Sequence, residues 1–412
     1  MARKNQDSEQ LTFDMSVVID ADQPLLNQRE RYNALSKWLE PGTLKIESIS
    51  GRDVIVYYGS GKPCVLLTKA ITYLGNPHPI YKKRIQLPDW FQDLCYDIVK
   101  NKKSYDIKFL GIYHYKGNLV FVDFEKDSYL QHGLHNSSAH VYINDLYQGM
   151  TYGVFHKEDF KGNQITVIRN AELSNYLNDE TSSNNESIFE LFRKFNNGFT
   201  FGEWLYALDI IKEMHAGQWR NWKQAEWAGW FLEFKFDKFI KDHKLSHIAS
   251  YTGTSNKRAG EFDFDIYFAE SDFYGDLKAS DIKHTETIGN DQNNLVECIY
   301  RYKRFWYVIY EHETIRDVEK DHTATIARNQ YIRSVDPSYK KDDMSYSSRM
   351  KHSVKFMKMS IVELNAVNFR EALKTFNQGH QPDGGKRAPK FNINKQVLKN
   401  DNFVVFRYNY GN

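Results

Sequence analysis

Residues 178–187, NDETSSNNES, are ten consecutive positions without an apolar side chain, and the spacing of hydrophobic residues changes across them. Ahead of the stretch, the runs DVIVYYGSGKPCVLLTK (53–69), YDIKFLGIYHYKGNLVFVDFEK (105–126), AHVYIND (139–145) and NQITVIRN (163–170) are rich in β-branched and aromatic residues and punctuated by SG, KG and GN turns. That pattern predicts strands, interrupted by one helix around Pro88–Lys100. Beyond the stretch, FGEWLYALDIIKEMH (201–215) and WKQAEWAGWFLEFKFDKFIKDH (222–243) carry apolar residues three and four apart, the helical period. A hairpin over 260–280, a helix near 293–303, the strand RFWYVIYEH, a helix near 323–333, the strand VKFMKMSIVEL and a tail ending NFVVFRYNY follow. This order of elements is α/β. A chain of 412 residues has room for two domains, and the polar stretch is the expected boundary between a β-rich N-terminal module over 1–177 and a second domain over 188–412.

Lysine and arginine number 55 against 53 aspartate and glutamate, a net charge of +2, so any surface for nucleic acid has to come from local segregation of charge. Three segments offer it: IYKKRIQL (80–87) with Lys82, Lys83 and Arg84, KNKK (100–103), and GGKRAPK (384–390) with Lys386, Arg387 and Lys390. Each suits backbone phosphates, and each reads equally well as a solvated basic loop. Cys64, Cys95 and Cys298 are the only cysteines and show no CxxC spacing, which argues against a disulfide framework or a zinc ribbon and for a reducing compartment. The N-terminal MARKNQDSEQ lacks an apolar segment behind it, and no run approaches the roughly 20 apolar residues of a membrane span. A soluble cytoplasmic protein is expected. With no GxxxxGK[ST] phosphate loop in the chain, an ATP-driven translocase is disfavoured.

Residues 260–280, GEFDFDIYFAESDFYGDLKAS, alternate apolar and acidic side chains. A strand period of two puts Phe262, Phe264, Ile266 and Phe268 on one face and Asp263, Asp265 and Tyr267 on the other. A turn at Ala269–Asp272 pairs Phe268 with Phe273, which sets Asp265 opposite Asp276 and Asp263 opposite Lys278. Phe273, Gly275 and Leu277 then join the Phe/Ile face. Two carboxylates about 5 Å apart at Cβ repel unless a positive charge sits between them. Mg²⁺, with Mn²⁺ as a substitute, matches hard oxygen donors from Asp265 and Asp276, with Asp263 as the alternative ligand two residues earlier. Lys278 would lie beside an attacking water and stabilise charge developing on a phosphate. The chemistry implied is phosphodiester hydrolysis. The bland alternative is a solvated acidic strand face, as in a DNA-binding protein without catalysis.

An acid on one strand, a short hairpin and then Asp276-Leu277-Lys278 resemble the PD-(D/E)xK nuclease superfamily, which includes the type II restriction endonucleases. The resemblance covers roughly 221–364; Phe264 stands where the family's motif has proline. It implies a restriction-endonuclease-like core, a mixed central sheet flanked by helices, and a further catalytic glutamate from the helix before the hairpin. Glu226 and Glu233 are the candidates, with Gly229 between them on one helical face. It also implies sequence-specific Mg²⁺-dependent cleavage of double-stranded DNA and a companion DNA methyltransferase acting on the same site; target reading is expected of the N-terminal module, because the nuclease core alone is compact and leaves a long further unit to explain. A structure-selective or repair nuclease of the same fold remains the alternative.

Competing motifs are weaker. Asp281-Ile282-Lys283 repeats the triplet, but its odd numbering puts it on the opposite face from Asp276, in an exit loop. Glu261 lies at the far end of the strand. Gly111–Tyr113, GIY, has no YIG triplet after it and reads as a core strand; QHGLHNSSAH, with His132, His135, Asn136 and His140, reads as a polar loop. Because one hairpin cuts one strand of a duplex, a two-fold homodimer is expected, with Trp222, Trp227 and Trp230 as surplus apolar surface for its interface.

Overall fold

Strand-period patterning in the first half builds a seven-stranded sheet. Its spatial order is Val154–Glu158, Gln164–Arg169, Asn118–Phe124, Asp106–Tyr115, Cys64–Ala70, Arg52–Tyr57, Leu44–Ile49. The computed structural model describes residues 6–101, 103–130, 138–180, 185–253, 262–339, 348–377 and 387–410. The chain divides into two units, Met1–Glu186 and Ser187–Asn412. Both have α/β architecture with a mixed sheet, and a small antiparallel pair, Asp7–Leu11 with Val17–Ala21, opens the first. Among the described residues, no helix is long and apolar enough to cross a membrane. Cys64, Cys95 and Cys298 are buried free thiols.

In the first unit, Cys64–Ala70 and Asp106–Tyr115 run parallel, which requires a crossover. The Asp89–Lys100 helix lies in that connection and buries Phe91, Leu94, Cys95 and Ile98, one face at the i, i+3, i+4, i+7 spacing. GIY sits in the centre of Asp106–Tyr115, where a Cβ on Gly111 would lie 2.8 Å from Ile71 and 2.9 Å from Phe124.

Three sequence expectations for this unit are corrected. Further helices form at Gln28–Ser36 and Ile143–Tyr152, and shorter ones at Lys126–Leu130 and Leu173–Leu177. The AHVYIND strand ends at Tyr142, because the Asp145 carboxylate accepts the Tyr142 N–H at 2.9 Å and starts a helix there. Every residue from Ile143 to Gly149 is buried, so this helix shows no one-sided stripe. Lys83, finally, is no phosphate contact: it is fully buried, donating to Ser8 Oγ and Asp22 Oδ1, each at 2.7 Å, and so ties the N-terminal strand pair down. Its neighbours Lys82 and Arg84 are partly exposed.

His140 and His156, both in this unit, have their pKa values pushed down by burial from 6.5 to about 4. The unfolded chain takes up those protons first, so the stability each contributes is complete above pH 6.5 and drains as the pH falls toward 4. The loss is about 1.4 kcal/mol per pH unit per histidine. Urea midpoints at pH 7 and pH 5 are expected to show it as a lower midpoint at pH 5, with a smaller difference in His156→Gln. An equal drop in that variant would exclude His156 as a source.

The central sheet of the second unit runs Leu205–Tyr206, Lys351–Leu364, Phe305–Arg316, Phe273–Asp281, Ile266–Phe268, Ser250–Tyr251, with Val404–Asn409 also paired to Lys351–Leu364. Phe305–Arg316 is parallel to Phe273–Asp281, the Gln292–Tyr302 helix lying in the crossover, and antiparallel to Lys351–Leu364. It is buried on both faces from Phe305 to His312, as expected of a strand covered on two sides. One face holds a core of Phe262, Phe264, Tyr274, Leu295, Phe305 and Tyr307. Against the other, Phe189 of the Glu186–Gly198 helix stacks on Trp306, and Phe192 of that helix packs on Phe268 and on Phe236 of the Trp227–Asp242 helix.

Arg304 and Glu363 form an ion pair with neither side chain exposed. The guanidinium lies 4.2 Å from the Phe273 ring centroid and 4.8 Å from that of Trp306, whose Nε1 donates to Glu363 Oε2 at 2.9 Å. Of the tryptophans expected at a dimer interface, Trp227 is buried, while Trp222 and Trp230 are partly exposed. Trp227 is fully buried and donates through Nε1 to Lys351 O at 2.8 Å; Trp222, partly buried, packs 4.2 Å from His215.

Candidate functional site

Ile266–Phe268 and Phe273–Asp281 pair antiparallel with Phe268 against Phe273 and Ile266 against Gly275. Asp265, one residue ahead of the first strand, meets Asp276: its N–H donates to Asp276 Oδ1 at 3.2 Å, and its Oδ2 accepts the Leu277 N–H at 3.1 Å. The alternation breaks at this point. Phe262 and Phe264 leave the face of Ile266 and Phe268, and Phe264 packs edge-on to Phe305, with ring centroids 4.7 Å apart. Thr252 fixes the bend, its N–H donating to Asp265 O at 2.8 Å and its hydroxyl to Phe264 O at 2.6 Å. On the second strand, a Cβ at Gly275 would lie 2.9 Å from Trp306 O and 2.8 Å from the Phe268 ring.

Asp276 is 2% exposed and ion-pairs with Lys278. Its Oδ2 is the oxygen that meets that ammonium. Burial, reinforced by the charges of Asp276 and Glu233, raises the Asp265 carboxyl well above the ordinary range. Burial acts to lower the Lys278 ammonium, but Asp276 and Asp265 more than offset it, and its pKa is raised. Glu233, from the Trp227–Asp242 helix, is pushed up to about 7 by burial and by Asp276, although it accepts the Tyr251 hydroxyl at 2.5 Å. Three carboxyl groups and one ammonium therefore share one electrostatic environment. Lys390 is close enough for Lys278 to depress its pKa further, after burial.

Glu233, Lys278 and Asp281 line one open cleft of about 760 Å³, together with Glu226, Trp230 and Lys351. Glu226 lines this cleft with Gly229 and Glu233. It occupies the position before the helix, exposed, with Arg349 Nη1 at 3.2 Å. Asp263 is exposed, and Asp265 is the residue that meets Asp276. Asp281 is the last strand residue and not part of a loop; it sits in register with His312, and its Oδ1 accepts the Lys283 N–H at 2.9 Å. Arg387 is exposed. Lys386, Lys102, Glu261, His132, His135 and Asn136 lie outside the described residues.

Sequence reading missed two members of the cleft neighbourhood. Tyr251 orients Glu233 from the short Ser250–Tyr251 strand. Lys351 is held with its Nζ 3.0 Å from His312 Nε2, and burial lowers its pKa to about 8. Neither carries a local motif; only the sheet brings them near the triplet.

Among the described residues, no group of three or more His, Cys, Asp and Glu is arranged as a ready ligand set for a metal ion. The donor chemistry nevertheless fits a hard divalent cation: carboxylate oxygens of Asp265, Asp276 and Glu233, near enough that the charges of Asp276 and Glu233 raise the Asp265 carboxyl.

A family model described as Methylase-associated X1 matches residues 62–177. No curated protein and no solved structure matches the chain.

Proposed function

We propose that the chain is a Mg²⁺-dependent endonuclease with a restriction-endonuclease-like core, acting on double-stranded DNA as a type II restriction enzyme. The observation that carries this reading is the opposition of Asp265 and Asp276, with Lys278 on Asp276 and the Glu233 carboxylate near enough to repel both, beside an open cleft. A surface that only bound DNA would gain nothing from burying like charges against one another. Asp265 and Asp276 would hold the ion, with Glu233 as the third carboxylate. When bound, it supplies Lewis acidity toward a phosphoryl oxygen and acidifies a water. Lys278 holds its proton, through its raised pKa, and presents a positive charge to the phosphate. Tyr251 restrains Glu233.

The match to a methylase-associated family over 62–177 supports placing the chain in a system that includes a DNA methyltransferase; target recognition is assigned to the first unit because the cleft is built wholly from residues of the second. Two strands require two cuts, which a homodimer with one cleft per protomer would supply.

Purified protein incubated with DNA of known sequence and Mg²⁺ or Mn²⁺ is expected to give discrete fragments with common ends. Ca²⁺ is expected to support binding without cutting, because it accepts the same oxygen ligands in looser geometry. Excess EDTA should stop cleavage. Cutting that persists in EDTA, or no cutting in either metal, defeats the reading.

A further inference from the structure

Past the strand end at Asp281, a second concavity of about 360 Å³ opens, lined by Lys283, Lys358, Lys395, Lys399 and Arg407, with Glu311 the only carboxylate among its lining residues. His284 lines both this pocket and the 760 Å³ cleft, so the two are neighbours along one stretch of chain.

The charges do not cancel. Glu311 is shared by two ammonium groups, Lys395 at 2.6 Å and Lys358 at 3.0 Å, and Arg407 is neutralised by Asp401 at 2.5 Å. Lys283 and Lys399 are exposed, and neither ion-pairs with an acid among the described residues. Lys395 is itself 7% exposed, held additionally by Asp281 O at 2.8 Å. Burying an ammonium is costly unless the geometry compensates it, so this lysine is built into the wall and not draped on the surface. The pocket thus carries an excess of about three positive charges, counted from those pairs, in a space large enough for a phosphodiester group.

The chain itself connects the pocket to the site. Lys278 and Asp281 line the cleft, and Ile282 and Lys283, the next residues along the chain, line the pocket. We propose that this pocket binds a backbone phosphate of the DNA strand that runs on from the cleft. This inference rests on the nuclease reading and adds to it a fixed second anchor for the substrate strand.

The test uses the full chain with Ca²⁺ and a random-sequence duplex, comparing wild type with Lys283→Ala/Lys399→Ala. Both side chains are exposed and without an acidic partner, so the thermal midpoint serves as a control for folding. The slope of log affinity against log salt is expected to become shallower by about two, one unit per phosphate-facing lysine, and Lys283→Arg/Lys399→Arg should restore it. If the wild type binds and the alanine variant keeps its slope, this proposal fails and the nuclease reading stands. If the wild type binds no DNA, both fail. Should inorganic phosphate raise the midpoint of the wild type but not of the variant while the DNA slopes are equal, the pocket belongs to a small phosphorylated ligand, and the backbone role is overturned.

Discussion

Asp276→Asn and Lys278→Ala are each expected to reduce DNA cleavage by about 10²–10³-fold or more, the scale of losing a directly acting charge in a preorganised site. DNA binding in Ca²⁺ should stay within a few-fold, because the sequence-reading surface is assigned to the first unit. Asp265→Asn should match them, since its carboxylate is held against Asp276 by the Leu277 N–H. Asp263→Asn should have little effect, its side chain being exposed. Lys278→Ala also strips Asp276 of its countercharge, so a circular-dichroism melt must accompany the kinetics. Wild-type cleavage by Asp276→Asn or Lys278→Ala would remove the site assignment. The reverse order between positions 263 and 265 would move the metal ligand to the exposed residue.

The largest stability effect is expected away from the chemistry. Glu363→Gln should lower the unfolding free energy by about 3–5 kcal/mol, because it removes the carboxylate charge that the buried Arg304 guanidinium pairs with. Both side chains are fully buried, and the guanidinium lies against the rings of Phe273 and Trp306. Phe273 opens the strand that carries Asp276 and Lys278, so this pair also underlies the hairpin. Replacing both partners with apolar residues, Arg304→Met/Glu363→Leu, should recover most of the loss, since it removes the buried charges altogether. Urea unfolding checks both expectations: an unchanged midpoint in Glu363→Gln would show that the pair contributes no stability.

The hairpin register was legible because alternation within seven residues and a four-residue turn leave one pairing that buries both apolar sets. The same rule misplaced Phe262 and Phe264. Their direction depends on Thr252 and on the Phe305 side of the sheet, contacts that local alternation does not encode. The Ile143–Tyr152 helix escaped for a related reason: a helix buried all round has no polar side to reveal its period. Lys83 was unreadable as a buried residue because its partners, Ser8 and Asp22, are more than sixty positions away in the chain. In the site itself, the close-spaced triplet could be found from residues alone. Tyr251 and Lys351 could not, since neither is within twenty residues of Asp276 or bears a pattern of its own.

Gly275 bears on how the strand carrying Asp276 and Lys278 is indexed to its neighbour. A strand can slip by two residues and keep every side chain on its proper face, so alternation alone does not forbid the error. Slippage of Phe273–Asp281 by two would place Phe273 or Leu277 opposite Trp306, in the slot that Gly275 fills. That slot is closed by the Trp306 carbonyl and the Phe268 ring at less than 3 Å from where a Cβ would sit. The residue lacking a side chain therefore acts as a stop, and it stands directly before the aspartate whose position it sets.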